Sequence, residues 1–388
     1  MAYHDAMATA KRFASSANMR RFSIPVASSM SGSEEELLPF PEPEISSVKL
    51  DTKPGANIHY TYYPASTSRN NQSNPFSQTM IVYLNGIMST RTSWDRSIHS
   101  FLEKRIAGQL PYPGLLSYDR YGQGESDRDP TDRDQPPCHG HDAMASVQDL
   151  RQLIEDIWRN HLDPTRPTHF PCLIFVCSSI GCAIARLFAQ QYPRIVSGLL
   201  FLDSIMANSD SQSVWPDPDA PDFNSQILPH GVTEDDVRQT RSKYKEYFHP
   251  DVPNMEGLSR CNLAKLLPHA DMPQLEGYLG HGPYLTVVGH DWETFAQQSL
   301  TGPLCTPKIL TMTYGNPAWR RYNEGLVKIT DKGRAIGPIV AVGCGHFIQN
   351  DGPEFVSDEL VSLLDRVVNR VEQVSERDGS SSVGIFDG

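Results

Sequence analysis

The residue whose surroundings point most directly to chemistry is Ser179. Residues 172–193 read CLIFVCSSIGCAIARLFAQQYP. The apolar run Leu173-Ile174-Phe175-Val176 suits a strand buried on both faces. Ile184, Leu187 and Phe188 have the spacing of a helix with one buried face. Ser179 falls at the sharp turn between them. A serine hydroxyl is a poor nucleophile until a base takes its proton and the resulting negative charge is stabilised. A tight turn lifts its Oγ above the sheet and sets it at a helix N-terminus, where free N–H groups face developing charge. Such a turn usually reads G-x-S-x-G, because side chains at the flanking positions crowd it. Gly181 keeps the second glycine and Cys177, a small residue, replaces the first. A buried strand and helix with an incidental serine between them would give the same pattern without chemistry.

Three further candidates sit just past apolar runs. Asp203 follows Gly198–Leu202, Asp291 follows Pro283–Val288, and His346 follows Gly337–Val342 in the segment Gly343-Cys344-Gly345-His346-Phe347. Active sites of open α/β sheets gather at the C-terminal ends of strands. An aspartate, a histidine and a serine there have the makings of a nucleophile, its base and the group that orients the base. Cys138-His139-Gly140-His141 invites a metal reading, but ligands packed this closely need a further partner. No metal and no cofactor are expected.

These residues need a scaffold, and the rest of the chain reads as one. A strand pair is expected over Ser46–Asp51 and Asn57–Tyr63, turned by Lys53-Pro54-Gly55. Thr79–Leu84 is a buried strand that runs into Asn85-Gly86-Ile87-Met88. Trp94–Ile106 is a helix and Gly114–Tyr118 the next strand. The loop after it, Asp119-Arg120-Tyr121-Gly122-Gln123-Gly124-Glu125-Ser126-Asp127, reads as structural, with glycines allowing a tight turn and charges bonding its backbone. Asp142 caps a helix carrying Val147, Leu150, Ile154 and Ile157 on one face. Strand, helix, strand and helix in alternation predict an α/β fold with a doubly wound, mostly parallel sheet. Residues 205–281 break the alternation and read as an inserted helical cap, with helices expected at Thr233–Phe248, Leu263–Leu267 and Met272–Leu279. Only a loop is expected between residues 291 and 317, then helices at Ala318–Ile329 and Phe355–Val374. The domain reading is a flexible extension over 1–44, a core of 45–204 and 282–374, the cap, and a tail from 375 to 388.

Composition narrows the partners. Lys and Arg number 34 against 46 Asp and Glu, a net charge of −12, which argues against nucleic acid and anionic membrane surfaces. No apolar run approaches the roughly 18 residues of a membrane span. Seven scattered cysteines, an odd number, suit reduced thiols in a cytoplasmic protein better than a disulfide framework. Up to Ser33 the chain has Lys11, Arg12, Arg20 and Arg21 against one acid, Asp5. With its serines, that bias makes a mitochondrial transit segment the alternative to a cytosolic tail. The oligomeric state is not written in these patterns.

Taken together, the order Ser…Asp…His resembles that of the α/β-hydrolase fold. The blocks IVYLNGIMS, SYDRYGQGESD, VCSSIGCAIARLFAQQYP, LLFLDS and VGCGHFIQNDGPEFV are each similar to the corresponding blocks of that superfamily. The last is the most specific, with histidine followed by Asn350-Asp351-x-Pro353. The resemblance implies Ser179 as nucleophile, His346 as base, and the backbone N–H groups of Ile87 and Ile180 as the oxyanion hole. Asn85 stands where histidine is commoner before the glycine. The acid of the family most often follows the penultimate strand, here Asp291. Members resembling the zearalenone-type lactonases take it from after the strand following the nucleophile, here Asp203. The separation 203 − 179 = 24 residues suits one helix and one strand, whereas 346 − 291 = 55 residues leaves an irregular stretch. Asp203 is therefore the expected acid and Asp291 the alternative. A serine at the elbow argues against the dehalogenase and epoxide-hydrolase branches, which attack with a carboxylate. The implied activity is a serine hydrolase acting, without cofactor, on a small, mostly apolar carboxylic ester or lactone. The pocket candidates are Met88, Trp215, Tyr244, Phe248 and Tyr278, with Phe223 and Tyr247 as further cap aromatics. Amide cleavage, carbon–carbon bond hydrolysis or lysis on the same triad, and a binding or cyclisation scaffold without turnover are the rival readings.

Overall fold

The computed structural model describes residues 39–67, 74–133, 139–161, 171–277 and 280–377. Eight strands build the main sheet: β1 (Glu44–Lys49), β2 (Asn57–Tyr63), β3 (Thr79–Leu84), β4 (Gly114–Tyr118), β5 (Cys172–Ser178), β6 (Val196–Leu202), β7 (Tyr284–His290) and β8 (Ala335–Ala341). Their order across the sheet is β1-β2-β4-β3-β5-β6-β7-β8. β2 is antiparallel to both β1 and β4, and every later pairing is parallel. The α/β-hydrolase-type sheet is thus present, with Ser179, Asp203 and Asp291 following β5, β6 and β7, and His346 in the turn after β8.

The parallel strands β3–β7 are buried on both faces because helices cover each side, whereas the edge strand β8 is largely exposed. The two-residue side-chain period divides β5 between two cores. Leu173, Phe175 and Cys177 face the layer of α2 (Ala143–His161) and α3 (Ile180–Gln191). Ile174 and Val176 face the layer of α1 (Asp95–Ala107) and α7 (Pro353–Arg377). α2 begins as the sequence suggests, with Asp142 Oδ1 accepting the N–H of Ala145 at 2.9 Å.

The segment between β6 and β7 departs from a helical cap. Among its described residues it holds one helix longer than four residues, α4 (Glu234–Phe248), plus short turns at Ser225–Ile227 and Leu263–Leu266. Thr233 and Asp236 close a capping box on α4. Within the described residues, no helix forms between Met272 and Gly277, against expectation. Eight prolines between Pro216 and Pro273 explain the irregularity, since each removes an N–H and disfavours helix before it. The insertion also has a small core that ignores the expected boundary at residue 281. Trp215, Val237 and Tyr244 pack with Leu310, and Leu304 and Tyr314 lie against them.

A second correction concerns residues 291–317. The loop expected there contains α5 (Trp292–Thr301), capped by Asp291 Oδ1 accepting Thr294 N–H at 3.0 Å. Asp291, the alternative catalytic acid in the sequence, is thus a helix-capping carboxylate. The next long helix, α6 (Asn316–Leu326), starts two residues earlier than expected and ends in a tighter turn, Val327–Ile329. α7 overruns the expected tail boundary and continues to Arg377. Of the expected extension 1–44, residues 1–38 lie outside the described residues and Glu44 already belongs to β1, and the rest of the tail, 378–388, also lies outside them. Among the described residues no helix is long and apolar enough to cross a membrane. The six described cysteines are free, and Cys138 lies outside them.

Candidate active site

Ser179 has φ 54° and ψ −118°, a left-handed backbone that side chains adopt at a cost. The surroundings hold it there. Its N–H donates to the Leu202 carbonyl at 3.1 Å, and its carbonyl accepts Ile205 N–H at 3.2 Å. Gly181 is required because a Cβ there would overlap the Leu84 carbonyl oxygen. Cys177, at the place of the first glycine, is fully buried in the core and fits without opening the turn. Ser179 is 7 % exposed, so only a small part of it reaches solvent.

Asp203 is wholly buried and also left-handed, at φ 44°. Its Oδ2 accepts from His346 Nδ1 at 2.6 Å. Its Oδ1 lies 2.9 Å from His290 Nδ1 and 3.3 Å from His290 N. Burial by itself would push this carboxyl up. The charge of His290, together with hydrogen bonds from His290 and His346, overcomes that and holds it at about 2. His290 is shifted the other way: burial disfavours its charge, but Asp203 and the bond to Asn316 raise it above the usual histidine value. Trp319 stands edge-on to both imidazoles, at 5.6 Å from His290 and 5.5 Å from His346. Its indole N–H is anchored on the Ser204 carbonyl at 2.8 Å.

His346 Nδ1 therefore donates to Asp203, which leaves Nε2 as the acceptor of a catalytic proton. Among the described residues no hydrogen bond joins Ser179 to His346, a contact that commonly forms only with substrate in place. Asp291 has another occupation. Besides capping α5 it accepts Gly343 N–H at 3.3 Å, and these bonds draw its carboxyl below the ordinary value.

The loop after β3 is braced by a buried network. Asn85 Nδ2 donates to the Tyr118 carbonyl at 2.8 Å, and Trp94 Nε1 donates to Asn85 Oδ1 at 2.7 Å. Arg120 donates to the carbonyls of Asn85 and Gly86 at 2.8 and 3.0 Å, and Gln123 to Gly86 at 2.9 Å. With these carbonyls held from behind, the Ile87 N–H is left outside the network. The N–H of Ile180, first in α3, has no intrahelical acceptor. Glu256, from the insertion, closes the network: it accepts from Arg120 Nε at 2.8 Å, Gln123 Nε2 at 2.9 Å and Met88 N–H at 2.8 Å. The residues Asp119–Asp127 also behave as expected, since buried Asp119 accepts from Arg91, and Gly124 is needed because a Cβ would meet that carboxylate.

The other expected residues divide. Met88 and Ile87 are partly buried beside the elbow, together with Ile205 and Met206, two neighbours with no sequence signal of their own. Trp215 and Tyr244 are a correction: both are buried in the insertion's core with ring centroids 4.7 Å apart, filling it rather than lining a pocket. Phe248 is 38 % exposed, and Tyr278 lies outside the described residues. His141 joins Asp129 and Asp132 to bring three candidate metal-ligand atoms within 4.8 Å. A fixed cation is already there: Lys53 Nζ bonds Asp129 at 2.5 Å and Asp149 at 2.7 Å, while His141 bonds Asp132 at 2.7 Å. This is an ion-pair cluster stapling the start of the core to α2. Sequence reasoning missed Glu256, His290, Asn316 and Trp319. Only His290 carried a signal, its place at the end of a strand.

A family model described as the alpha/beta hydrolase family matches residues 81–359. The chain belongs to the alpha/beta hydrolase family. Among solved structures it is similar to an epoxide hydrolase from Vigna radiata, at 13 % identity over 86 % of this chain and 100 % of that one, with a TM-score of 0.47. It is also similar to a thermophilic esterase from Thermogutta terrifontis, at 15 % identity over 84 % of this chain and 99 % of that one, with a TM-score of 0.43. No curated protein matches the sequence. As a member of the alpha/beta hydrolase family, the chain carries a serine, not a carboxylate, at the elbow, with two histidines on one buried aspartate.

Proposed function

We propose that the chain is a serine hydrolase that cleaves a carboxylic ester or lactone of a small, mostly apolar metabolite through an acyl-enzyme. The observation that carries this reading is the 2.6 Å bond from His346 Nδ1 to the buried, ionised Asp203, at the sheet edge where Ser179 is held in a strained elbow. In this mechanism His346 Nε2 takes the Ser179 proton as Oγ attacks the carbonyl carbon. Asp203 keeps the proton of His346 on Nδ1 and offsets the charge the ring acquires. The N–H groups of Ile87 and Ile180 receive the oxyanion. His346 then returns the proton to the departing oxygen, and water repeats the sequence to free the acid. The partly buried Ile87, Met88, Ile205 and Met206 beside the elbow favour an uncharged acyl group.

The test is labelling of the purified protein with a fluorophosphonate probe, beside Ser179→Ala and His346→Ala. Labelling of the wild type that disappears in both variants supports the reading, and aryl ester and lactone panels then define the substrate. A folded wild-type protein that the probe leaves untouched refutes it.

A further inference from the structure

His290 is fully enclosed, and both of its ring nitrogens face acceptors. Nδ1 lies 2.9 Å from Asp203 Oδ1. Nε2 lies 3.1 Å from Asn316 Oδ1. The Asn316 amide cannot be turned round without loss, because its Nδ2 donates to the Trp292 carbonyl at 3.1 Å. A neutral imidazole has one donor and one acceptor nitrogen, so it would leave one of these contacts as two facing lone pairs. An imidazolium satisfies both. The ring also stacks on Phe295 at 4.1 Å, a contact that favours a cation over an aromatic face. The charged groups around it are Asp203, the adjacent Asp291, His346 across the carboxylate, and Arg320, which lines the cleft over His290 and is paired with Glu324 at 2.9 Å.

Resting on the reading of Ser179, Asp203 and His346 given above, we propose that His290 is a standing imidazolium that positions Asp203 and offsets its charge. One carboxylate serves two histidines. Oδ1 is engaged by a ring that stays charged. Oδ2 is left for the ring that cycles. With a cation already beside the carboxylate, the pull of Asp203 on a second proton is weaker. His290 touches no reacting atom. It acts through Asp203 and is a positioning residue.

Nitrogen-15 NMR of histidine-labelled protein tests this without any substrate, with His290→Gln and His346→Ala assigning the signals. At pH 7.5 the wild type is expected to show protons on both ring nitrogens of His290. In His290→Gln, which keeps a donor to Asp203 but no charge, the acid limb of fluorophosphonate labelling is expected to move up by ~1 pH unit. Asn316→Leu, which keeps the histidine and removes its second acceptor, should move that limb the same way by less, and it serves if His290→Gln does not fold. A His290 with one protonated nitrogen overturns the proposal, and so does a folded variant that labels with the wild-type acid limb. Failure of the serine reading appears separately, as absence of labelling at Ser179 with the histidine spectra unchanged.

Discussion

Glu256 accepts the backbone N–H of Met88 at 2.8 Å, across 168 residues of chain. That bond ties the insertion to the loop that carries the Ile87 N–H, and Arg120 reaches both the same carboxylate and the Gly86 carbonyl. Every partner of Glu256 named here is a donor. Glu256→Gln puts an amide N–H₂ against one of them and removes the charge opposite Arg120. Breaking a buried ion pair costs roughly 3–5 kcal/mol. The variant should unfold at lower denaturant concentration, and where folded it should label with fluorophosphonate up to ~100–1,000-fold more slowly, the cost of losing an oxyanion donor such as the one proposed at Ile87. An unchanged labelling rate would separate the insertion from the oxyanion loop.

Ser179 holds backbone strain at the position proposed for the nucleophile. At φ 54° a glycine is unstrained, whereas serine and alanine are not. Ser179→Gly and Ser179→Ala should both lose labelling, but only the glycine variant should exceed the wild type in stability, by an amount on the order of 1 kcal/mol, while the alanine variant keeps the strain and stays close to it. Calorimetry of the three proteins decides it.

The two carboxylates once in competition for the acid role predict different losses. Asp203→Asn presents an N–H₂ or a neutral oxygen to His346, and activity should fall by ~10⁴-fold through the wrong tautomer. Asp291→Ala removes the cap of α5 and the bond to Gly343, and should cost about 1 kcal/mol of stability with the turnover rate within a few-fold of the wild type. Steady-state rates on an aryl ester found by the panel give the comparison, and equal losses would overturn the assignment.

Asp203 also shapes acid stability. Its folded value, about 2, lies below that of the unfolded chain, so the native state binds fewer protons through this window. The contribution is fully present above pH ~4 and is lost as pH falls from there towards 2, amounting to roughly 2 kcal/mol. Denaturant unfolding of the wild type should therefore steepen in its pH dependence between pH 4 and 2, and Asp203→Asn should lack that component.

Much of the site is legible in local sequence because local physics dictates it. The apolar run before Ser179, the helical spacing after it and Gly181 specify a strand, a sharp turn and a helix from contacts within one short stretch. The alternation of such stretches implies a parallel sheet, and a parallel sheet collects Ser179, Asp203 and His346 at one edge. Tertiary structure alone decided between Asp203 and Asp291 as neighbours of His346, since both stand at strand ends and only the packing of β6, β7 and the turn after β8 selects one. It also recruited Glu256, His290 and Asn316. Each is an ordinary polar residue in the sequence and acquires its role from burial beside groups tens to hundreds of positions away, where an unmet hydrogen bond is costly. The insertion shows the same division. Its prolines announced irregular backbone, but that Trp215 and Tyr244 would turn inward onto Leu310 depended on a core shared by two distant segments, for which sequence periodicity carries no signal.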